Sequence, residues 1–150
     1  MSLKKQLFVI CGVLAVPFLG LQADDVNVAL RKPVTASSQQ EKFPVSNVTD
    51  GVISRKSTWM SAESARPPHM WDMRLEWYYN IDKIVIYTGI PENELTESEK
   101  GKAPGFWSMK NFKIQYWDDA NWTDLPDTER TENRQDRLEF TFKPALLTFQ

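Results

Sequence analysis

Short runs of alternating residues, each closed by a turn signal, recur along this 150-residue chain and leave little room for helices. In the run from Trp71 to Tyr78, Trp71, Met73, Leu75 and Trp77 share one face and Asp72, Arg74, Glu76 and Tyr78 the other. That is the pattern of a half-buried strand. Asn80-Ile81-Asp82 then turns the chain into a β-branched run, Lys83 to Thr88, which ends at Gly89. The short link predicts that these two runs are adjacent central strands. Phe112, Ile114 and Tyr116 alternate against Lys113, Gln115 and Trp117, and Asp118 to Asn121 forms a hairpin turn into Trp122 to Leu125. Val34 to Ser37 is a short strand after Pro33, Leu138, Phe140 and Phe142 alternate again, and Pro144 introduces Ala145 to Phe149. One short helix near Glu94 to Lys100 is the exception, and there are no repeats or heptads. The class that follows is all-β, a sandwich or jelly roll.

The length has room for one domain, and 41% hydrophobic with 25% charged residues is enough for a core. Met1 to Ala23 reads as a signal peptide: Lys4 and Lys5 start it, Leu7 to Leu21 is apolar, and small Ala23 precedes Asp24. The domain is then residues 24–150, secreted, periplasmic or at the cell surface. The one cysteine, Cys11, falls inside that leader, so the exported part has no disulfides and relies on its core or a bound ion. The formal charge is −2, and removing Lys4 and Lys5 leaves 16 basic against 20 acidic residues, a net −4. That balance excludes a nucleic-acid partner that needs a basic face and disfavours anionic lipid. Two sequons, at Asn47 and Asn121, are taken as chance matches in a bacterial exported protein.

Two stretches carry chemistry. Phe43 to Ser61 holds Asp50-Gly51, with Asn47 before it and Ser57-Thr58-Trp59 after it. Gly reaches positive φ freely and Asp can bond its own backbone two residues on, so the pair favours a tight turn. Its oxygens can also converge on a hard cation such as Ca²⁺: the Asp50 carboxylate, the Asn47 and Val52 carbonyls, and Ser57 or Thr58. An ordinary Asp-Gly turn has the same local spacing. The second stretch, Gly89 to Ser108, is broken by Pro91, Gly101, Pro104 and Gly105 and is long for a connection, a length usually functional or disordered. It ends in Phe106-Trp107. The tryptophans at 59, 71, 77, 117 and 122 are read as structural and buried.

Four segments, Asn27–Ala29, Pro33–Ser38, Asn47–Gly51 and Ser57–Ser61, stand in an order that resembles the opening of the coagulation factor V/VIII type C, or discoidin, family. That family includes the family 32 carbohydrate-binding modules. The likeness continues through Trp71–Tyr87 and Lys110–Trp122. It implies a galactose-binding-like β-sandwich, a non-catalytic role and a glycan held by loops at one end. The family pattern also runs on to a further strand, with an acidic residue closing the ion loop. This chain shows neither, so it reads as truncated at its C-terminus with its last strand missing, which puts the ion site in doubt.

No catalytic constellation emerges, because His69 is the only histidine and no serine stands in a nucleophile-elbow pattern. The acidic pairs Asp118/Asp119 and Glu92/Glu94 lie in polar turns. Sugar sites combine an exposed aromatic platform with a few planar hydrogen-bonding groups. Phe106 and Trp107 are the platform candidates, and Arg66, His69, Asn93 and Glu94 the polar ones. Trp107 can equally be a plug over the sandwich end. The expected role is a carbohydrate-binding appendage of a secreted glycan-degrading protein, against an adhesion domain for a protein or lipid headgroup.

Overall fold

The computed structural model describes residues 26–77, 79–102, 105 and 107–147. The expected leader, Met1 to Ala23, lies outside the described residues, as do Tyr78 and Phe106. Among the described residues there are six strands and very little helix. β1 is Val34–Ala36, β2 Trp71–Met73, β3 Asn80–Tyr87, β4 Gln115–Trp117, β5 Trp122–Asp124 and β6 Arg137–Leu147. The one α-helix among the described residues, α1, is Glu97–Lys100, within the helical stretch expected from sequence. Two 3₁₀ turns cover Val45–Val48 and Glu92–Glu94. No helix among the described residues is long and apolar enough to cross a membrane.

The strands form three antiparallel ladders, β1 with β2, β3 with β6, and β4 with β5. The β-branched run predicted as a strand, Lys83 to Thr88, lies inside β3 up to Tyr87, and β3 pairs Lys83 with Thr141 through to Tyr87 with Arg137. Asn80 to Asp82 belong to the same strand rather than to a turn, since Asn80 and Ile81 pair with Leu147 and Leu146. The register slips between Ile81 and Lys83, opposite residues 142–145 of β6. Pro144 lies in that slip. It has no N–H to donate, so the ladder skips it and a bulge results.

The run from Trp71 to Tyr78 departs from expectation. Of its described residues only Trp71–Met73 are strand, and they pair with β1 and not with the neighbouring β3. Val34 stands opposite Met73, and the Pro33 carbonyl takes one more bond from Arg74 N at 3.0 Å. Pro33 cannot donate in return, so the ladder ends there. Glu76 then turns at φ 69 and pairs with Lys32 at 3.1 Å. Trp77, expected inside, is 68% exposed.

Leu138 and Phe140, two apart on β6, are buried with Ile90 and Leu125. Each contributes about 1.5–3 kcal/mol by leaving water. The Arg130 guanidinium lies over the Phe140 ring at 4.6 Å. The rest of the buried set is polar: Thr49, Thr88, Ser108, Thr128 and Asn133. Thr128, 1% exposed, donates to the Leu125 carbonyl at 2.8 Å and accepts from Ile114 N at 3.3 Å. It thereby anchors a polar loop to the base of the β4–β5 hairpin. Trp117 and Trp122 on that hairpin were also expected to be buried and are 39% and 53% exposed. Alternation assigns residues to two faces without saying which face is covered.

Candidate functional site

The Asp50-Gly51 turn forms as its chemistry requires. Gly51 sits at φ 81, and Asp50 Oδ1 accepts from Val52 N at 2.7 Å. Across the loop Ser57 donates its hydroxyl to Asp50 Oδ2, and Asn47 Nδ2 donates to the Thr58 carbonyl at 2.9 Å. Ser54 and Ser57 bridge around a two-residue tip, Arg55-Lys56. Trp59 is half-buried, its Nε1 donating to the Ser38 carbonyl at 3.1 Å. All five expected metal residues therefore lie on one cross-linked loop whose donors are oxygens, the ligand type that a hard cation takes. Asp50 is the only carboxylate on that loop, and no group of three or more His, Cys, Asp or Glu that could hold a metal stands among the described residues.

The Gly89–Ser108 stretch packs against this loop. Glu94, at the end of its 3₁₀ turn, accepts from Ser54 Oγ at 3.1 Å and Arg55 N at 2.6 Å. The Arg55 guanidinium pairs with Glu99 of α1. Glu99 also accepts from Thr96 N at 2.8 Å and the Thr96 hydroxyl at 2.7 Å. The two Thr96 bonds, backbone first, and then Arg55 lower the Glu99 pKa to about 2. Glu94 is thus bound to the oxygen-rich loop, while Asn93 beside it is exposed.

Farther along, a buried polar staple fixes the other half of the stretch. Asn133 Nδ2 donates to the carbonyls of Met109 and Gln135, both at 3.0 Å, and lies 3.4 Å from Thr88 Oγ1. Thr88 donates its hydroxyl to the Gln135 carbonyl at 2.5 Å and its N–H to the Asp136 carbonyl at 2.8 Å. Ser108 Oγ donates to Asp136 Oδ1 at 2.5 Å. Gly105, at φ 66, passes so close to the Arg134 backbone that a Cβ there would overlap its carbonyl. Trp107, between these fixed points, is 45% exposed, with Lys102 Nζ 5.6 Å from its ring centre. The ammonium lies over the face of the half-exposed indole, which sets an aromatic surface and a hydrogen-bond donor together.

The match to the F5/F8 type C family model described as NedA-like, galactose-binding domain covers residues 47–148. The chain belongs to this family. Among solved structures, this galactose-binding-like domain is similar to the family 32 carbohydrate-binding module of C. perfringens NanJ in complex with galactose. Identity is 18%, coverage is 79% of this chain and 77% of that one, and the TM-score is 0.55. It is also similar to CpGH89CBM32-4 of Clostridium perfringens in complex with GlcNAc-α-1,4-galactose, at 23% identity, 84% and 76% coverage and TM-score 0.55. These likenesses show the fold, an all-β discoidin-like sandwich. No curated protein matches the chain.

Within this galactose-binding-like domain, Arg66 and His69 flank the cis Pro67–Pro68 bond and are exposed. Among the described contacts, neither bonds to the 92–107 segment. Sequence reasoning missed Lys102, Ser108 and Asn133. A lysine five residues before Trp107 was a visible signal for the first. Ser108 has its partner 28 residues away, and Asn133, apart from its local bonds to Gln135, reaches partners 24 and 45 residues away.

Proposed function

We propose that this domain is a non-catalytic glycan-binding module whose site lies on the Gly89–Ser108 stretch, with Trp107 as the platform. The observation that carries the reading is a half-exposed indole held on a loop that buried hydrogen bonds pin on both sides. An aromatic in that setting costs little to order when a pyranose stacks on it. Lys102 supplies a donor at the ring, Asn93 an exposed amide on the same stretch, and Phe106, Arg66, His69 and Glu94 remain candidate contacts. The two neighbours with bound galactose or GlcNAc-α-1,4-galactose support galactose-type sugars as first ligands to try.

The surrounding roles belong to the same proposal. The module is exported, serves a larger secreted glycan-degrading protein, and holds one Ca²⁺ as a structural ion. Asn47, Asp50, Val52, Ser57 and Thr58 would hold that ion, which would tie the loop's oxygens together and stiffen the platform's neighbour.

The test is affinity electrophoresis through gels containing soluble galactan, run alongside thermal melting. Trp107→Ala should lose most of its retardation in galactan while its melting temperature stays within a few degrees of the wild type. A truncated core plug would instead cost roughly 3–5 kcal/mol. Unchanged retardation with a collapsed melting temperature would remove Trp107 from the site.

One observation favours the adhesion reading as a second possibility. Val52 and Ile53, between the Asp50-Gly51 turn and the Arg55-Lys56 tip, are 54% and 51% exposed, and Leu30 packs against Gly51 beside them. An apolar loop tip suits a lipid surface. Binding to phosphatidylserine vesicles that Val52→Ser/Ile53→Ser abolishes would establish it.

A further inference from the structure

The β4–β5 register places Gln115 opposite Asp124 and Trp117 opposite Trp122, so these four side chains share one face of the hairpin. The two indoles meet edge to face, with centroids 5.6 Å apart and planes at 67°. Such a pair steadies a hairpin whether or not anything binds it. Two further observations go beyond that use. The indoles stay 39% and 53% exposed, so the corner between them is open to solvent. Next to the corner, Asp124 accepts from Gln115 Nε2 at 2.6 Å and from Lys113 Nζ at 2.8 Å. A carboxylate, a planar amide and an ammonium thus stand in one array beside an aromatic shelf. A cleft of about 470 Å³ continues from Lys113 and Asp124 to Asp127, Glu129 and Arg130.

A pyranose has an apolar C–H face and a rim of hydroxyls that both donate and accept. The indole corner suits the face. The Asp124 oxygens keep lone pairs for hydroxyl donors, and Gln115 and Lys113 carry further N–H groups for hydroxyl acceptors. We propose that this hairpin face is a second sugar-binding surface, separate from the loop around Trp107. The chain leaves the Thr88–Met109 contact and runs nearly extended from Phe112, bridged to Arg130, through β4 to Trp117. Five residues at about 3.3 Å each carry it roughly 17 Å from Phe112 to Trp117, away from the loop end. The module then grips a polysaccharide at two points, and the second grip raises avidity without any new contact at the first.

The experiment is affinity electrophoresis of the purified protein in gels containing soluble galactan, xyloglucan, mixed-linkage β-glucan or mannan. Trp122→Ala and Asp124→Asn should each weaken retardation about fivefold or more in at least one gel. Added to Trp107→Ala, either should remove what retardation that variant keeps. Asp124→Asn leaves both indoles in place, and an unchanged melting temperature separates its binding loss from hairpin collapse. The Asp124→Asn variant retarded like the wild type, with Trp107→Ala fully mobile, overturns the inference and leaves the loop site standing. The converse, binding lost in Asp124→Asn and kept in Trp107→Ala, supports the hairpin face and overturns the loop site. A wild type that no gel retards overturns both. A Trp122-dependent dimer on size exclusion, with no gel effect, assigns the face to a second copy of the chain and overturns the sugar assignment.

Discussion

Asn133→Ala is the most searching test of how the Gly89–Ser108 loop is held. The amide sits in the interior at 7% exposure, and its two N–H groups serve the Met109 and Gln135 carbonyls. Its oxygen accepts from Gln135 N at 3.0 Å. Alanine deletes all three good bonds and leaves two carbonyls and an N–H without that partner. Each bond contributes about 1 kcal/mol net, so the loss is about 3 kcal/mol, with little change in apolar burial. At this chain length 1 kcal/mol moves the melting temperature by about 4 °C, and the expected drop is roughly 12 °C.

Circular dichroism melts give that number directly, and Thr88→Val completes the argument. Thr88 Oγ1 stands between Asn133 Nδ2 and the Gln135 carbonyl, so the two substitutions disrupt one network. The double variant should lose less than the sum of the singles, by about 0.5 kcal/mol or more. A fall of under 3 °C in Asn133→Ala, or strict additivity with Thr88→Val, would refute the view that this staple organises the loop.

Three further outcomes follow from the same geometry. Gly105→Ala forces a Cβ into the Arg134 backbone at φ 66; left-handed strain alone costs about 1–2 kcal/mol, so melting temperature and galactan retardation should fall together. Glu99 is held near pKa 2, below its ordinary value of 4.5, so its stabilising effect is present above pH 4.5 and fades as pH falls toward 2. Glu99→Gln should therefore melt lower than the wild type near pH 6, with the gap closing across that acid window; a constant gap would contradict the assignment. Calcium at ten times its Kd should stabilise the native state by about 1.4 kcal/mol, and Asp50→Ala should abolish the shift between chelator and calcium in thermal melts.

The all-β class was legible because β-branched runs and turn residues act locally. Asp50-Gly51 shows this best, since the turn, the positive φ and the bond to Val52 N all follow from two adjacent residues. The end of β2 was not legible, because it depends on Pro33, a residue 38 positions before Trp71 that cannot return a hydrogen bond. The tryptophans failed for a related reason. Periodicity sorts Trp117 and Trp122 onto one face of the hairpin, and their exposure depends on what packs there. The candidate site lies between these cases. Trp107 stood out as an aromatic in a broken stretch, but what holds the backbone two residues on, at Met109, is a buried amide from a polar loop, and that loop looked featureless. A residue such as Asn133 is marked by its distant partners, Thr88 and Met109, and these reach it only in the fold. Polar loop residues therefore merit the same scrutiny as aromatics when a site is sought in a sequence of this family: in the proposed site the aromatic would supply the contact area, and the buried polar group fixes the backbone next to it.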